Sequence, residues 1–105
     1  MVDEGDIRHI LIVEDDPNTS GMLSAYFSSL GYQVSHAAWG QDALKIATET
    51  LPDLIVLDIH LPDIDGYEVC SRLRSQRRTE HTPIIFLTER RERMDRLTGL
   101  ELGAV

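Results

Sequence analysis

Leu54-Ile55-Val56-Leu57-Asp58-Ile59-His60-Leu61-Pro62-Asp63-Ile64-Asp65-Gly66 passes from an unbroken apolar run to a single acid and then to turn residues. Four apolar residues with no polar alternation read as a strand buried on both faces. Pro62, Asp63, Asp65 and Gly66 favour turns, and the spacing of Tyr67, Val69, Cys70 and Leu73 predicts a helix directly after them. The segment is therefore one βα unit with an acid where the strand ends.

The same unit recurs on either side. Ile7 to Val13 is a β-branched run that stops at Glu14-Asp15-Asp16. Asp16 reads as the N-cap of a helix with Pro17 in its first position, and Met22, Leu23, Tyr26, Phe27 and Leu30 supply an apolar stripe. Gly31 suits the left-handed residue after that helix. Gln33 to Ala37 predicts a second strand. Gly40-Gln41-Asp42 leads into a helix that turns Ala43, Leu44, Ile46 and Ala47 inward until Pro52 forbids continuation. Pro83 to Leu87 predicts a fourth strand ending on Thr88, and Glu92 to Leu102 a fourth helix carrying Met94, Leu97 and Leu100. Four strands, each followed by a helix, imply parallel pairing through right-handed crossovers, hence a doubly wound α/β sheet. Ligands in such sheets sit beyond the carboxyl ends of the strands, which here carry Glu14, Asp15, Asp58 and Thr88.

The 105 residues have room for one hydrophobic core, so residues 1–105 are expected to form a single domain. No apolar run approaches the roughly 20 residues of a membrane span, and the start, Met1-Val2-Asp3-Glu4, is acidic where a secretory signal would be basic; a cytoplasmic location is expected. The lone Cys70 cannot close an internal disulfide and reads as an inert, half-buried helical residue. Charge is segregated along the chain: residues 1–71 carry a net −11, and residues 72–105 a net +3 from eight arginines against five acids. A total of −8 argues against direct nucleic-acid binding by this domain, which would need a basic face. The arginines around the third and fourth helices read as a solvated face. Trp39 is placed either as a lid on the core or at the rim of the acidic pocket.

Three carboxylates brought to one sheet edge repel one another unless a cation neutralises them or one takes a proton. With oxygen donors only, and too few for an all-protein calcium cage, Mg²⁺ suits Glu14, Asp15 and Asp58 best, and it leaves room for phosphate oxygens. Asp16 reads as an ordinary cap. A carboxylate beside Mg²⁺ can act as the nucleophile in phosphoryl transfer, and Asp58, ending the central strand of the run, is the candidate. Thr88 offers a hydroxyl to a phosphoryl oxygen, or is a strand residue with an idle hydroxyl.

Three stretches in this order, Ile10-Leu11-Ile12-Val13-Glu14-Asp15-Asp16-Pro17, Asp53 through Gly66 and Thr82-Pro83-Ile84-Ile85-Phe86-Leu87-Thr88, resemble the receiver domain of bacterial two-component response regulators along essentially the whole chain. The resemblance implies a flavodoxin-like fold with strand order 2-1-3-4. It makes Asp58 the phosphoacceptor, supplied by a histidine kinase or phosphotransfer protein. It gives Mg²⁺ to Asp15 directly, to Glu14 through water, to Asp58 and to the backbone carbonyl of His60. Thr88 becomes the switch hydroxyl, and Pro62, Gly66 and Gly40 match the family's shaped loops. His60 and Arg90 fall where the family tunes dephosphorylation. Glu89 departs from the small residue usual after the threonine and would crowd the phosphate.

A receiver also has a lysine on a fifth strand, followed by a proline and a fifth helix. The only lysine here, Lys45, falls on the second helix, so the chain is expected to comprise four of the family's five βα units and to lack the fifth. That expectation carries two others. One is self-association, as a dimer or swapped oligomer through the fourth strand or helix. The other is an alternative role as a shortened receiver working as a protein-interaction module, with little phosphoryl chemistry. An independent enzyme is not expected, since Asp58-Ile59-His60 lacks the second aspartate of Asp-x-Asp phosphatases and no glycine-rich phosphate loop is present.

Overall fold

The computed structural model describes residues 7–87. Four strands, β1 (His9–Val13), β2 (Gln33–Ala37), β3 (Leu54–Asp58) and β4 (Ile84–Leu87), alternate with three helices, α1 (Pro17–Ser29), α2 (Gly40–Thr50) and α3 (Gly66–Arg74). The sheet is wholly parallel with the order β2-β1-β3-β4, as expected. The order reverses between β1 and β3, which puts Glu14 and Asp58 side by side at the same end. The expected fourth helix and Thr88, Glu89 and Arg90 lie outside the described residues.

The apolar runs are buried on both faces because each side chain in turn meets a helix layer. Leu11, Val13, Ile55, Leu57 and Ile84 join Ala43, Ala47, Val69, Cys70 and Leu73 of α2 and α3. Ile10, Ile12, Leu54 and Val56 face the other way, against Leu23 and Phe27 of α1. Among the described residues no helix is long and apolar enough to cross a membrane.

Several expectations need correction. β1 starts at His9 rather than Ile7, which is exposed; the Asp53 carboxylate accepts the amides of Arg8 and His9 at 3.0 and 2.9 Å and so takes the place of the earlier pairing. Only part of the α1 stripe is core. Leu23 and Phe27 share one i,i+4 ridge and pack on the sheet, whereas Met22, Tyr26 and Leu30 form the ridge about 100° around the helix and are exposed. Cys70 is fully buried rather than half-buried, and burial pushes its thiol pKa up, which keeps it inert. Trp39 is half-exposed at the N-cap of α2 and is no lid on the core. The arginine face is partly structural: Arg74 donates to the carbonyls of Glu80 and Thr82, and Arg78 to that of Thr48, so both brace loops.

Two glycines hold their places for want of a β-carbon or through backbone conformation. Gly31 has φ +96 after α1, as expected of a left-handed residue. At Gly66 a β-carbon would collide with the Asp58 carbonyl oxygen and lie 2.9 Å from the Ile59 Cα. α3 can therefore start directly against the end of β3, and the Gly66 amide donates to the Ile59 carbonyl at 2.7 Å.

Candidate functional site

The carboxyl ends of β1 and β3 deliver Glu14, Asp15 and Asp58 to one place. One oxygen from each lies within 4.8 Å of the others, with Glu14 and Asp58 buried and Asp15 exposed. The convergence agrees with the expectation from the strand ends. Burial first, and then the nearby Asp58 charge, push the Glu14 carboxyl up to about 7 against the pull of the Asp16 amide. Asp58 is also raised, chiefly by burial, although the His60 amide, the hydrogen bond with Glu14 and the His60 ring favour its charged form. That hydrogen bond favours the charged form of Asp58 and the protonated form of Glu14.

Asp16 is the α1 cap, as expected: its carboxylate accepts from the Thr19 hydroxyl at 2.7 Å and the Thr19 amide at 3.3 Å. The Asp16 amide in turn donates to the Glu14 carboxylate at 3.0 Å. His60 is exposed in the loop after β3, beside Asp58.

Three residues outside the expected site act on the sheet ends, Asp63 and His36 at this end and Asp53 at the opposite, amino-terminal edge. Asp63 accepts the amides of Gly40 and Gln41 at 2.7 and 2.9 Å and so caps α2 from the β3–α3 loop. A local signal existed for it, since Trp39 in the cap position has no side chain able to accept those amides. Asp53 secures the start of β1. His36 places its ring Nε2 at 2.9 Å from the Glu14 carbonyl oxygen. Nothing local in the sequence announces that contact.

The donor set fits a hard divalent cation. All three groups offer carboxylate oxygens, and their spread compares with the oxygen separations of about 3 to 4 Å implied by octahedral Mg²⁺ coordination at ~2.1 Å. Burial chiefly, and the neighbouring acid charges in lesser part, raise the proton affinity of Glu14 and Asp58, and a bound cation would favour their charged forms instead. Glu14, Asp15 and Asp58 are the residues that would hold it.

Residues 10–105 match the family model of the response regulator receiver domain. The chain is 47% identical over 95 residues to the transcriptional regulatory protein AfsQ1 of Streptomyces coelicolor, a match covering 90% of this chain and 41% of that protein. It thus spans about two fifths of the length of that relative. The chemotaxis response regulator CheY4 of Vibrio cholerae superposes with a TM-score of 0.85 at 30% identity, covering 94% of this chain and 82% of that one. The receiver domain of a sensor histidine kinase from Pseudomonas aeruginosa, solved with a magnesium ion coordinated in its active site cleft, gives a TM-score of 0.84 at 35% identity, covering 94% and 81%. With its parallel 2-1-3-4 sheet and acid-lined carboxyl edge, the chain belongs to the response regulator receiver domain family.

Proposed function

We propose that this receiver domain accepts a phosphoryl group on Asp58 from a phosphohistidine of a histidine kinase or phosphotransfer protein, with Mg²⁺ held by Glu14, Asp15 and Asp58. The observation that carries the reading is the convergence of those three carboxylates within 4.8 Å around a strand-end aspartate. An Asp58 carboxylate oxygen attacks phosphorus as the P–N bond to the donor imidazole breaks, and the imidazole leaves as the neutral base once protonated. Mg²⁺ held by Glu14, Asp15 and Asp58 would supply neutralisation of charge on the phosphoryl oxygens. Glu14 would hold the cation as its carboxylate, and the backbone around Gly66 holds the Asp58 peptide against α3. Thr88 is assigned the switch hydroxyl, with His60, Glu89 and Arg90 tuning hydrolysis of the aspartyl phosphate and the His60 carbonyl completing the cation's ligands.

The domain would work in the cytoplasm as a relay without turnover of an external substrate. Likeness to a transcriptional regulatory protein supports a role in controlling transcription through segments beyond the matched region, with no nucleic-acid contact by this domain. β4 pairs on one edge only among the described residues and exposes Ile85, which supports self-association by edge pairing. Size-exclusion chromatography with light scattering is expected to show a species larger than the monomer.

The test of the main reading is incubation with Mg²⁺ and a small-molecule phosphodonor, followed by intact-mass analysis of wild type and Asp58→Asn. Modification of the wild type alone is expected. Mg²⁺ binding without modification of the wild type would replace this reading with that of an interaction module.

A further inference from the structure

We propose that His36 is a positioning residue for the cation site, holding the turn that carries Glu14 and Asp15 through the Glu14 carbonyl; this rests on the reading of Glu14, Asp15 and Asp58 as the Mg²⁺ ligands. The β1–β2 ladder ends with Val13 opposite Ala37, and the next amide, that of Glu14, still donates to the Ala37 carbonyl at 3.0 Å. Past that point β2 offers a side chain: the His36 Nε2 lies 2.9 Å from the Glu14 carbonyl oxygen. A carbonyl can only accept, so Nε2 carries the hydrogen and donates.

Glu14 is thus held at its amide by Ala37, at its carbonyl by His36 and at its carboxylate by the Asp16 amide. Such a hold matters at this position, because carboxylates gathered without a cation push the turn open. The peptide that His36 grips joins Glu14 to Asp15, so its tilt sets where the Asp15 carboxylate starts relative to Asp58. The contact His36 makes is with the Glu14 carbonyl, so its effect passes through the backbone of the ligands. Gln can place an amide N–H where the Nε2 stands, whereas Ala cannot.

The experiment is isothermal titration of the 105-residue chain with Mg²⁺, comparing wild type, His36→Ala, His36→Gln and Asp15→Asn, with thermal melts in chelator alongside. A neutral hydrogen bond at this strength predicts Mg²⁺ affinity weakened about three- to tenfold in His36→Ala and restored to within about twofold in His36→Gln. Unchanged affinity in His36→Ala, with affinity lost in Asp15→Asn, would overturn the role of His36 and leave the cation site standing. Unchanged affinity in Asp15→Asn would overturn the cation site itself. Failure of Gln to restore affinity, with the melting temperature in chelator falling in both His36 variants, would show a purely structural residue and also overturn the proposal.

Discussion

Asp63 caps Gly40 across 23 positions of chain, its carboxylate 2.7 Å from the Gly40 amide, and so ties the loop that follows β3 to the start of α2. The Gln41 amide joins it at 2.9 Å. Burial works against the Asp63 charge, but the amides of Gln41, Gly40 and Ile64 overcome it and hold the carboxyl below its ordinary value.

Asp63→Ala is therefore expected to destabilise the domain by about 1 kcal/mol, as loss of a helix cap does, and Asp63→Asn by less. Urea denaturation at pH 7 checks both. The lowered pKa adds a sign: the contribution of Asp63 is present above its ordinary 3.8 and is lost as pH falls through the depressed folded value, so the gap between wild type and Asp63→Ala should close in acid.

Glu14 acts in the opposite direction. Its folded value of about 7 lies above the ordinary 4.5, so the folded protein binds that proton more tightly than the unfolded chain. The stability this confers is full below 4.5 and is lost as pH rises through about 7. The metal-free domain is expected to melt at a lower temperature at about pH 8 than at about pH 6, and saturating Mg²⁺ should remove most of that difference. Calorimetric titration in two buffers of different ionisation enthalpy should find a proton released as Mg²⁺ binds near neutral pH.

Asp58→Asn removes one of the crowded charges. In chelator at about pH 8 it is expected to raise stability by on the order of 1 kcal/mol, the usual sign for neutralising a strained functional residue, while weakening Mg²⁺ binding. A fall in stability would show that Asp58 carries a structural bond beyond those described here.

Gly66 and Gly21 form a matched pair. A β-carbon at Gly66 meets the backbone of Asp58 and Ile59, which cannot give way as a side-chain tip does, so Gly66→Ala should cost about 2 kcal/mol or more. Gly21 lies within α1 with open space around it, so Gly21→Ala should stabilise by about 0.5–1 kcal/mol. Thermal melts of the two variants should move in opposite directions.

The elements and the position of the acids were legible because they follow from short-range rules: apolar runs of strand length, turn residues at their ends and alternation with helical periodicity. The 2-1-3-4 order came from resemblance, and the structure agrees. Local pattern does not encode how far a helix reaches across the sheet, which is why Met22, Tyr26 and Leu30 read as core yet lie exposed. Nor does it encode partners far off in the chain. Asp53 and Asp63 look like any turn aspartate, and His36 like any polar strand residue, until the sheet closes and brings Arg8, Gly40 and Glu14 within reach.

The central place of β1 also has a consequence for the order in which the fold assembles. Its first partner, β2, begins two dozen residues later, and its second, β3, follows Asp53, 44 positions beyond His9. At translation rates of roughly 5–20 residues per second, the apolar Ile10-Leu11-Ile12-Val13 segment emerges roughly 2 to 9 s before both of its edges can be filled. During that interval the adjoining Glu14, Asp15 and Asp16 set negative charge directly beside the uncovered strand, which disfavours its pairing with another nascent copy.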